Sequence, residues 1–132
     1  MEGGVNKKSD LVYPELSYKI VGLLYEVDNE LGYGYQEKYY EKALAEGFKQ
    51  EGLNYQEQLH IPLTFKNSKI GDYFLDFLVE DKIVVELKKG DRFSKKNIEQ
   101  VYAYLKAKNL KLGILAQFSS DGLKFKRIVN IK

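Results

Sequence analysis

Two runs of β-branched, aromatic and leucine residues, separated by three polar residues, constrain the fold of this chain more than any other feature. The first run is Ile70–Val79, the second is Ile83–Lys89, and the polar break between them is Glu80–Lys82. A connection of three residues suits an antiparallel hairpin, whereas a parallel connection needs a crossover of a dozen or more residues. The spacing therefore predicts a hairpin in which Val79 pairs with Ile83.

Three charged side chains are predicted to meet on one face of this hairpin. Counting back along both strands from the turn sets Asp76 directly opposite Glu86. Lys88 lies two residues beyond Glu86, so the pleat places it on the same face and diagonal to Asp76. Directly opposed like charges destabilise a sheet, and an unpaired carboxylate inside an apolar run is costly. Something must therefore compensate for the two acids.

Two interpretations of this cluster are open. Asp76, Glu86 and Lys88 can form a buried salt-bridge cluster with a purely structural role. Alternatively, because two anions and one cation leave an excess negative charge, the two carboxylates can bind a hard divalent cation. The excess charge favours the metal interpretation.

Composition limits which metal such a site can hold. The chain has no cysteine and one histidine, His60, so disulfides, thiolate nucleophiles and zinc sites with cysteine or several histidine ligands are excluded. Oxygen ligands remain, which indicates Mg²⁺, Mn²⁺ or Ca²⁺. His60 occupies a polar position of an alternating strand and is predicted to face solvent.

Length and hydropathy indicate one ordinary globular domain. With 132 residues, 44% of them hydrophobic and 30% charged, the chain suits a single core. We expect a domain over residues 15–132, preceded by a flexible segment, residues 1–14, which lacks an apolar period. No apolar stretch approaches the roughly 18 residues needed to span a bilayer, and no signal segment is evident. We therefore expect a cytoplasmic protein that does not associate with membranes.

Periodicity predicts the remaining elements. One helix should follow Ser17 and end at Gly32, and a second, led by Gly34, should stop at Gly52. A strand should cover residues 55–65, where Pro62 indicates a sheet edge or a bulge. A helix capped by Ser94, with a buried stripe that includes Val101 and Leu105, and two strands complete the chain. The order α-α-β-β-β-α-β-β is typical of an α/β fold with a mixed sheet.

Charge is distributed unevenly along the sequence. Residues 1–81 contain 8 Lys and Arg against 15 Asp and Glu, whereas residues 82–132 contain 13 against 4. The C-terminal part is therefore the candidate surface for a polyanion such as nucleic acid. The alternative is that the two oppositely charged parts simply pack together.

Three further polar residues have alternative interpretations. Glu37 lies within the apolar face of the second helix, either as a third acid aimed at the sheet or as half of a capping box with Gly34 as the N-cap. Gln100 and Tyr104 share a face of the third helix away from its apolar stripe. That face is either exposed surface or projects over the sheet toward Lys88.

Several separate motifs together resemble a known family. Gly34-Tyr-Gln-Glu37-Lys-Tyr-Tyr40 matches the GxxExxY pattern, and Asp76 followed by Glu86-Leu-Lys88 matches the acid, then acid-x-Lys, of the PD-(D/E)xK nuclease superfamily. From about residue 16 to residue 130 the chain resembles the small GxxExxY proteins of that superfamily. One departure is that Leu75 replaces the proline before the first acid.

The resemblance implies a restriction-endonuclease-like fold and metal-assisted phosphodiester hydrolysis with Mg²⁺ or Mn²⁺. It implies that Asp76, Glu86, Glu37 and the Leu87 carbonyl bind the metal, and that Asp76, Glu86, Glu37 and Lys88 carry out catalysis. The residues expected in accessory or substrate-binding roles are Tyr40, Gln100, Tyr104, Lys89, Arg92, Lys95 and Lys96.

These inferences predict a nuclease acting on nucleic acid, on DNA in preference to RNA. They are compatible with a homo-oligomer or a complex partner, and the sequence does not set the oligomeric state. Two rival hypotheses stay open. The chain can be a nucleic-acid-binding or partner-binding module that keeps the acids without cutting, or a toxin, defence or repair component that acts only within a complex. Fold alone does not choose among them.

Overall fold

A computed structural model describes residues 12–131 and contains three helices and one five-stranded sheet. The element order matches the predicted α-α-β-β-β-α-β-β. The helices are α1 (Pro14–Leu31), α2 (Glu37–Gln50) and α3 (Lys95–Lys108). The strands are β1 (Tyr55–Phe65), β2 (Ser68–Val79), β3 (Ile83–Lys89), β4 (Leu112–Ser119) and β5 (Gly122–Val129).

The sheet is mixed and its strands follow chain order, β1-β2-β3-β4-β5. Three neighbouring pairs are antiparallel, and β3 and β4 are parallel. Helix α3 makes the crossover between those two parallel strands, as a parallel pair requires. The predicted mixed α/β architecture is therefore confirmed.

Helices cover both faces of the sheet and create two separate cores. Helices α1 and α2 pack on one face, in a core that includes Ile20, Leu24, Leu44, Phe48, Phe77, Val85 and Phe118. Helix α3 packs on the other face, in a smaller core of Leu59, Leu75, Val84, Val101, Tyr104, Leu105, Leu115 and Ile128. A Cβ at Gly113 of β4 would lie 2.6 Å from Val101, so glycine permits the close approach of α3 to the sheet.

Three predicted boundaries need correction. Helix α1 begins at Pro14 rather than after Ser17, because proline is well suited to a first helical position. Helix α2 begins at Glu37 with Gln36 as its N-cap, so Gly34 is not the cap. Strand β2 begins at Ser68, because the preceding turn consists of two residues with positive φ, Lys66 and Asn67, which suits a tight hairpin.

Other local predictions are confirmed. The Ser94 side chain caps α3 by accepting hydrogen bonds from the amides of Lys96 and Asn97, at 3.1 and 3.4 Å. Pro62 lies in the edge strand β1, immediately before a shift in the register between Leu63 and Thr64.

Residues 1–14 are the expected flexible segment, and residues 1–11 of it lie outside the described part of the chain. Of its described residues, Val12 is buried against the core and Pro14 begins α1. Every helix within residues 12–131 is too short or too polar to cross a bilayer.

Candidate active site

The β2–β3 hairpin has the register that the three-residue turn predicted. Val79 pairs with Ile83, and the backbone ladder continues as far as Phe77 and Val85. At the next position, which is occupied by Asp76 and Glu86, side-chain carboxylates rather than backbone carbonyls accept the hydrogen bonds between the strands. The amide of Asp76 donates to the Glu86 carboxylate at 3.0 Å, and the amide of Leu87 donates to the Asp76 carboxylate at 2.8 Å.

The two strands separate beyond these carboxylates. From residue 75 backwards β2 pairs only with β1, and from Glu86 onwards β3 pairs only with β4. Leu75 and Phe77, which simple alternation would place on one face, lie in different cores. In β1, the residue between their pairing partners, Gln58, has a φ of +55°. Asp76 therefore lies where β1 and β2 change the face they present, whereas β3 keeps its regular alternation.

Lys88 completes the predicted cluster. Its Nζ lies 3.3 Å from Oε2 of Glu86, and the Lys88 side chain is partly exposed whereas that of Glu86 is buried. The structure thus brings Asp76, Glu86 and Lys88 together, as the register count predicted. When all three are ionised the cluster carries an excess negative charge in a poorly solvated place.

Burial disfavours ionisation of both acids. Burial, and then the neighbouring Glu86 charge, raises the pKa of Asp76 to about 7, although the Leu87 amide and Lys88 act in the opposite direction. Burial also raises the pKa of Glu86, and it outweighs the stabilising charge of Lys88. Near neutral pH the pair therefore retains a proton that a bound cation would displace.

Glu37 lies at the rim of the cluster. It is exposed at the start of α2, and its carboxylate accepts a hydrogen bond from the amide of Lys89 at 3.1 Å. Within residues 12–131, no three Asp, Glu, His or Cys side chains are arranged to hold a metal ion. The structure therefore does not bring Glu37 into a shared ligand position with Asp76 and Glu86.

Glu41 is an acid near the site that the sequence reasoning missed. Burial raises the pKa of Glu41 most, and the Asp76 charge raises it further, while the side-chain Nε2 of Gln58 donates to the Glu41 carboxylate at 2.9 Å. The available signal was spacing, because Glu41 follows Glu37 by one helical turn and so shares its face. Glu41 adds to the negative potential on the α2 side of Asp76.

The prediction that Tyr40 contacts substrate is wrong. Tyr40 is fully buried, its ring stacks on Phe118 with centroids 4.0 Å apart, and its hydroxyl donates to the Gly32 carbonyl at 2.5 Å. These contacts fix the connection between α1 and α2. Tyr40 therefore has a structural role in placing the start of α2, where Glu37 lies.

Tyr104 is buried, which excludes the interpretation that it is ordinary exposed surface. It belongs to the core beneath α3 with Leu75 and Leu115, and burial raises the pKa of its hydroxyl. Gln100, one turn earlier, is partly buried. Among the described residues, neither side chain hydrogen-bonds to Lys88, although Tyr104 packs on the sheet face that carries Val84 and Leu115, the register partner of Glu86.

The four basic residues assigned to substrate binding are all exposed. Lys89 ends β3, and its Nζ lies 5.5 Å from the centre of the Tyr33 ring. The other three occupy the loop after β3 and the first turn of α3: Arg92, Lys95 and Lys96. His60 is exposed as predicted, and it contacts Asp72 and stacks on Phe74.

The cluster is chemically suited to a hard divalent cation. Two adjacent carboxylates with raised pKa values, surplus negative charge and no soft ligand nearby are what Mg²⁺ or Mn²⁺ prefers. A pair of oxygen ligands next to an ammonium group can bind a cation and polarise a phosphate at the same place.

Comparisons with known proteins identify the family and the fold. A family model described as the PD-(D/E)XK nuclease superfamily matches residues 14–128. No curated protein matches the sequence. The crystal structure of SSO0001 superimposes with a TM-score of 0.55 over 95% of this chain at 16% identity, which shows a shared fold alone. This chain spans 62% of the length of that chain.

Proposed function

The chain belongs to the PD-(D/E)XK nuclease superfamily, and from this premise we propose that it is a metal-dependent nuclease that hydrolyses phosphodiester bonds. Its mixed sheet flanked by helices is the restriction-endonuclease-like fold. The observation that carries the proposal is the partly buried contact between Asp76 and Glu86 beside Lys88. Within the superfamily, the motif from Gly34 to Tyr40 favours the GxxExxY proteins.

Asp76 and Glu86 would hold the metal, Mg²⁺ or Mn²⁺. The Leu87 carbonyl lies between Glu86 and Lys88 in sequence and is proposed as a further ligand, and Glu37 is proposed to act through water from the rim. When bound, the metal supplies Lewis-acid stabilisation of negative charge on the phosphate. The raised pKa values of the two acids mean that metal binding releases a proton at neutral pH.

Lys88 is the proposed catalytic cation. Its ammonium group is partly exposed, so it can reach both water and substrate, while Glu86 anchors it. We assign it the orientation and deprotonation of the attacking water and the stabilisation of charge that develops on the phosphate. Gln100 and Tyr104 would support this arrangement from α3, which packs on the sheet face that carries Glu86 and Lys88.

Nucleic acid would approach over the exposed basic residues next to the cluster. Lys89, Arg92, Lys95 and Lys96 are proposed to contact phosphates, which position a duplex or a single strand without reading its sequence. We propose DNA ahead of RNA by analogy with the restriction-endonuclease-like fold.

The test is cleavage of a panel of DNA and RNA substrates, single- and double-stranded, with Mg²⁺, Mn²⁺ or EDTA. Lys88→Ala should abolish cleavage. Lys89→Ala is its matched control, because it removes the same charge from the adjacent, exposed position and should only weaken binding. Metal-independent cleavage, or equal activity of the Lys88→Ala protein and wild type, would reject the proposal.

A second candidate is a nucleic-acid-binding or partner-binding module that does not cut. It is favoured by the observation that no three metal-ligating side chains converge among residues 12–131. In this case the protein would bind nucleic acid with equal affinity in EDTA and in Mg²⁺, and would show no cleavage. If a further subunit completes the site, cleavage would appear only when that subunit is added.

A further inference from the structure

Gln117 is a buried amide in a largely apolar strand, and its register partners on the two neighbouring strands are Lys88 and Lys124. All eight residues of β4 are buried, and Gln117 has the only long polar side chain among them, with 3% of its surface exposed. Within the described part of the chain, its Oε1 atom has no hydrogen-bond partner. A buried acceptor without a donor costs about 1–3 kcal/mol, whereas an apolar side chain of similar shape would avoid this penalty.

The position of this amide connects it to the candidate active site. Gln117 is the register partner of Lys88 on the adjacent parallel strand, and Leu115 is the partner of Glu86. Register partners on parallel strands share a face and lie about 4.8 Å apart across the sheet. The Gln117 side chain is therefore the nearest neighbour of Lys88 on the β4 side.

Gly90 gives the amide its place beside the end of β3. A Cβ at Gly90 would lie 3.2 Å from Nε2 of Gln117, and Gly90 has a φ of +136°. A side chain there would press on the amide as well as strain the backbone. Asn130 has the other buried side-chain oxygen without a partner among residues 12–131. Its side chain is held differently, because its Nδ2 donates to the Leu110 carbonyl at 2.9 Å.

We propose that Gln117 is a positioning residue whose Oε1 accepts a hydrogen bond from the Lys88 ammonium group when Glu86 is engaged by the metal. This inference rests on the proposed nuclease function. In the structure Lys88 pairs with Glu86, the same carboxylate that the metal requires. An ammonium group has three donors, and the strand register places the Gln117 side chain, with its free acceptor, next to Lys88 on the same face of the sheet. Lys88 thus keeps a fixed orientation without competing for Glu86.

The test compares Gln117→Met, which keeps the length of the side chain but removes the acceptor, with Leu115→Met, a matched change on the same face of β4. The ammonium signal of Lys88 is followed by NMR in protein labelled with ¹⁵N-lysine, without nucleic acid, in EDTA and in saturating Mg²⁺. In EDTA the signal should persist in all three proteins. In Mg²⁺ it should persist in wild type and Leu115→Met and disappear by fast exchange in Gln117→Met.

Two further measurements separate positioning from packing. Gln117→Met should lower kcat by roughly 10- to 100-fold, the loss expected for one hydrogen bond to a charged group, with KM unchanged and the melting temperature equal or higher. Gln117→Glu, which keeps an acceptor, should retain the Lys88 signal in Mg²⁺.

The outcomes distinguish this inference from the proposed function. Metal-dependent cleavage together with a Lys88 signal that is the same in Gln117→Met and wild type would reject the role of Gln117 and keep the nuclease. A Lys88 signal that depends on Gln117, in a protein that cuts no substrate, would keep the positioning role and reject the nuclease. Failure of wild type to bind Mg²⁺ would reject both.

Discussion

The two ends of the β2–β3 hairpin differ in what holds the strands together. Next to the turn, Phe77 to Val79 pair with Ile83 to Val85 through backbone hydrogen bonds, and every one of these side chains except Leu78 is fully buried in one of the two cores. At the open end Asp76 and Glu86 replace that ladder with bonds from backbone amides to carboxylates. The closed end provides apolar burial, and the open end carries the proposed chemistry.

This difference shows how the fold can hold two acids in contact. The apolar ladder fixes the register, and the register forces Asp76 and Glu86 together even though burial raises both pKa values and the Glu86 charge raises that of Asp76 further. An unfavourable local arrangement persists when the surrounding structure determines it. Variants at the two ends should therefore change different properties.

The largest effect is expected at the open end. Asp76→Asn should reduce cleavage by about 10³-fold or more, because losing a ligand carboxylate removes several kcal/mol of charge stabilisation. Asp72→Asn is its control, since Asp72 lies four residues earlier on the same strand and is exposed. Single-turnover cleavage rates measure the difference, and equal rates for the two variants would remove Asp76 from the site.

The closed end should show the reverse behaviour. Ile83→Ala removes a fully buried side chain next to the turn, so the free energy of unfolding should fall by about 2–5 kcal/mol. The cleavage rate per folded molecule should stay unchanged, because the open end keeps its register. Urea denaturation and cleavage at low temperature test both statements. A large loss of rate in the folded protein would show that the two ends are not separable.

Sequence reasoning predicted the closed end and the identity of the open-end residues well, because both follow from turn length and the two-residue period of a strand. The break in alternation at Asp76, which puts Leu75 and Phe77 in different cores, could not be predicted. It lies opposite Gln58 of the neighbouring strand β1, which has a positive φ. Tyr40 was misassigned for a related reason. Its partner Phe118 comes from the far end of the chain.

Two other residues could not be assigned from the sequence, for different reasons. Glu41 was detectable from helical spacing, but its proximity to Asp76 depends on how α2 packs on the sheet. Gln117 stands in a largely apolar run, where only the tertiary structure shows that its oxygen has no partner within residues 12–131. Pattern locates elements, whereas the pairing of distant elements decides which polar groups meet.

Metal binding distinguishes the acids from the lysine within the open end. Asp76→Ala should weaken Mn²⁺ affinity by more than the roughly 10- to 100-fold that loss of an outer-shell partner causes. Lys88→Ala should leave Mn²⁺ affinity intact or raise it, because a charged ammonium group is no ligand and repels the cation. Calorimetric titration of wild type and both variants decides this. Equal affinity of wild type and Asp76→Ala would return the cluster to the salt-bridge interpretation.

The pH dependence of stability reports the same pair without metal. Because the pKa of Asp76 is raised to about 7, the folded protein keeps a proton that the unfolded chain releases near pH 4. Stability should therefore fall as pH rises from about 4 to 7, with Glu86 and Glu41 acting in the same direction. Each pH unit by which a folded-state pKa exceeds that of the unfolded chain lowers the free energy of unfolding by about 1.4 kcal/mol at most.

Asp76→Asn should flatten this dependence, because the asparagine oxygen still accepts from the Leu87 amide but no proton is exchanged. Melting curves in EDTA at pH 5 and pH 7.5 provide the measurement. Carboxyls with lowered pKa values, such as Asp72 and Asp91, affect stability only below this window. A wild-type protein that is more stable at pH 7.5 than at pH 5 would contradict the raised pKa of the pair.

The smallest effects are expected from the exposed basic residues next to the open end, which we call the basic rim: Lys89, Arg92, Lys95 and Lys96. Lys95 and Lys96 occupy the first turn of α3, which contains no acidic residue, although a helix N-terminus favours negative charge. Replacing both with alanine should therefore leave stability unchanged or raise it by roughly 0.3–1 kcal/mol per residue. Nucleic-acid affinity should decrease, and the slope of log affinity against log salt should become shallower by about 0.9 for each phosphate that the protein no longer binds.

The matched control is Lys106→Ala with Lys108→Ala, two exposed lysines in the last turn of the same helix, where positive charge is favourable. This pair should lose stability slightly and keep the wild-type salt slope. Asp76→Asn should also keep that slope, because binding by the rim does not require the acids. Fluorescence anisotropy with a labelled duplex at several salt concentrations, in EDTA, tests all three proteins. An affinity that stays constant between low and moderate salt would show that the rim does not contact phosphates, and the lysines at the start of α3 would then have no explanation in nucleic-acid binding.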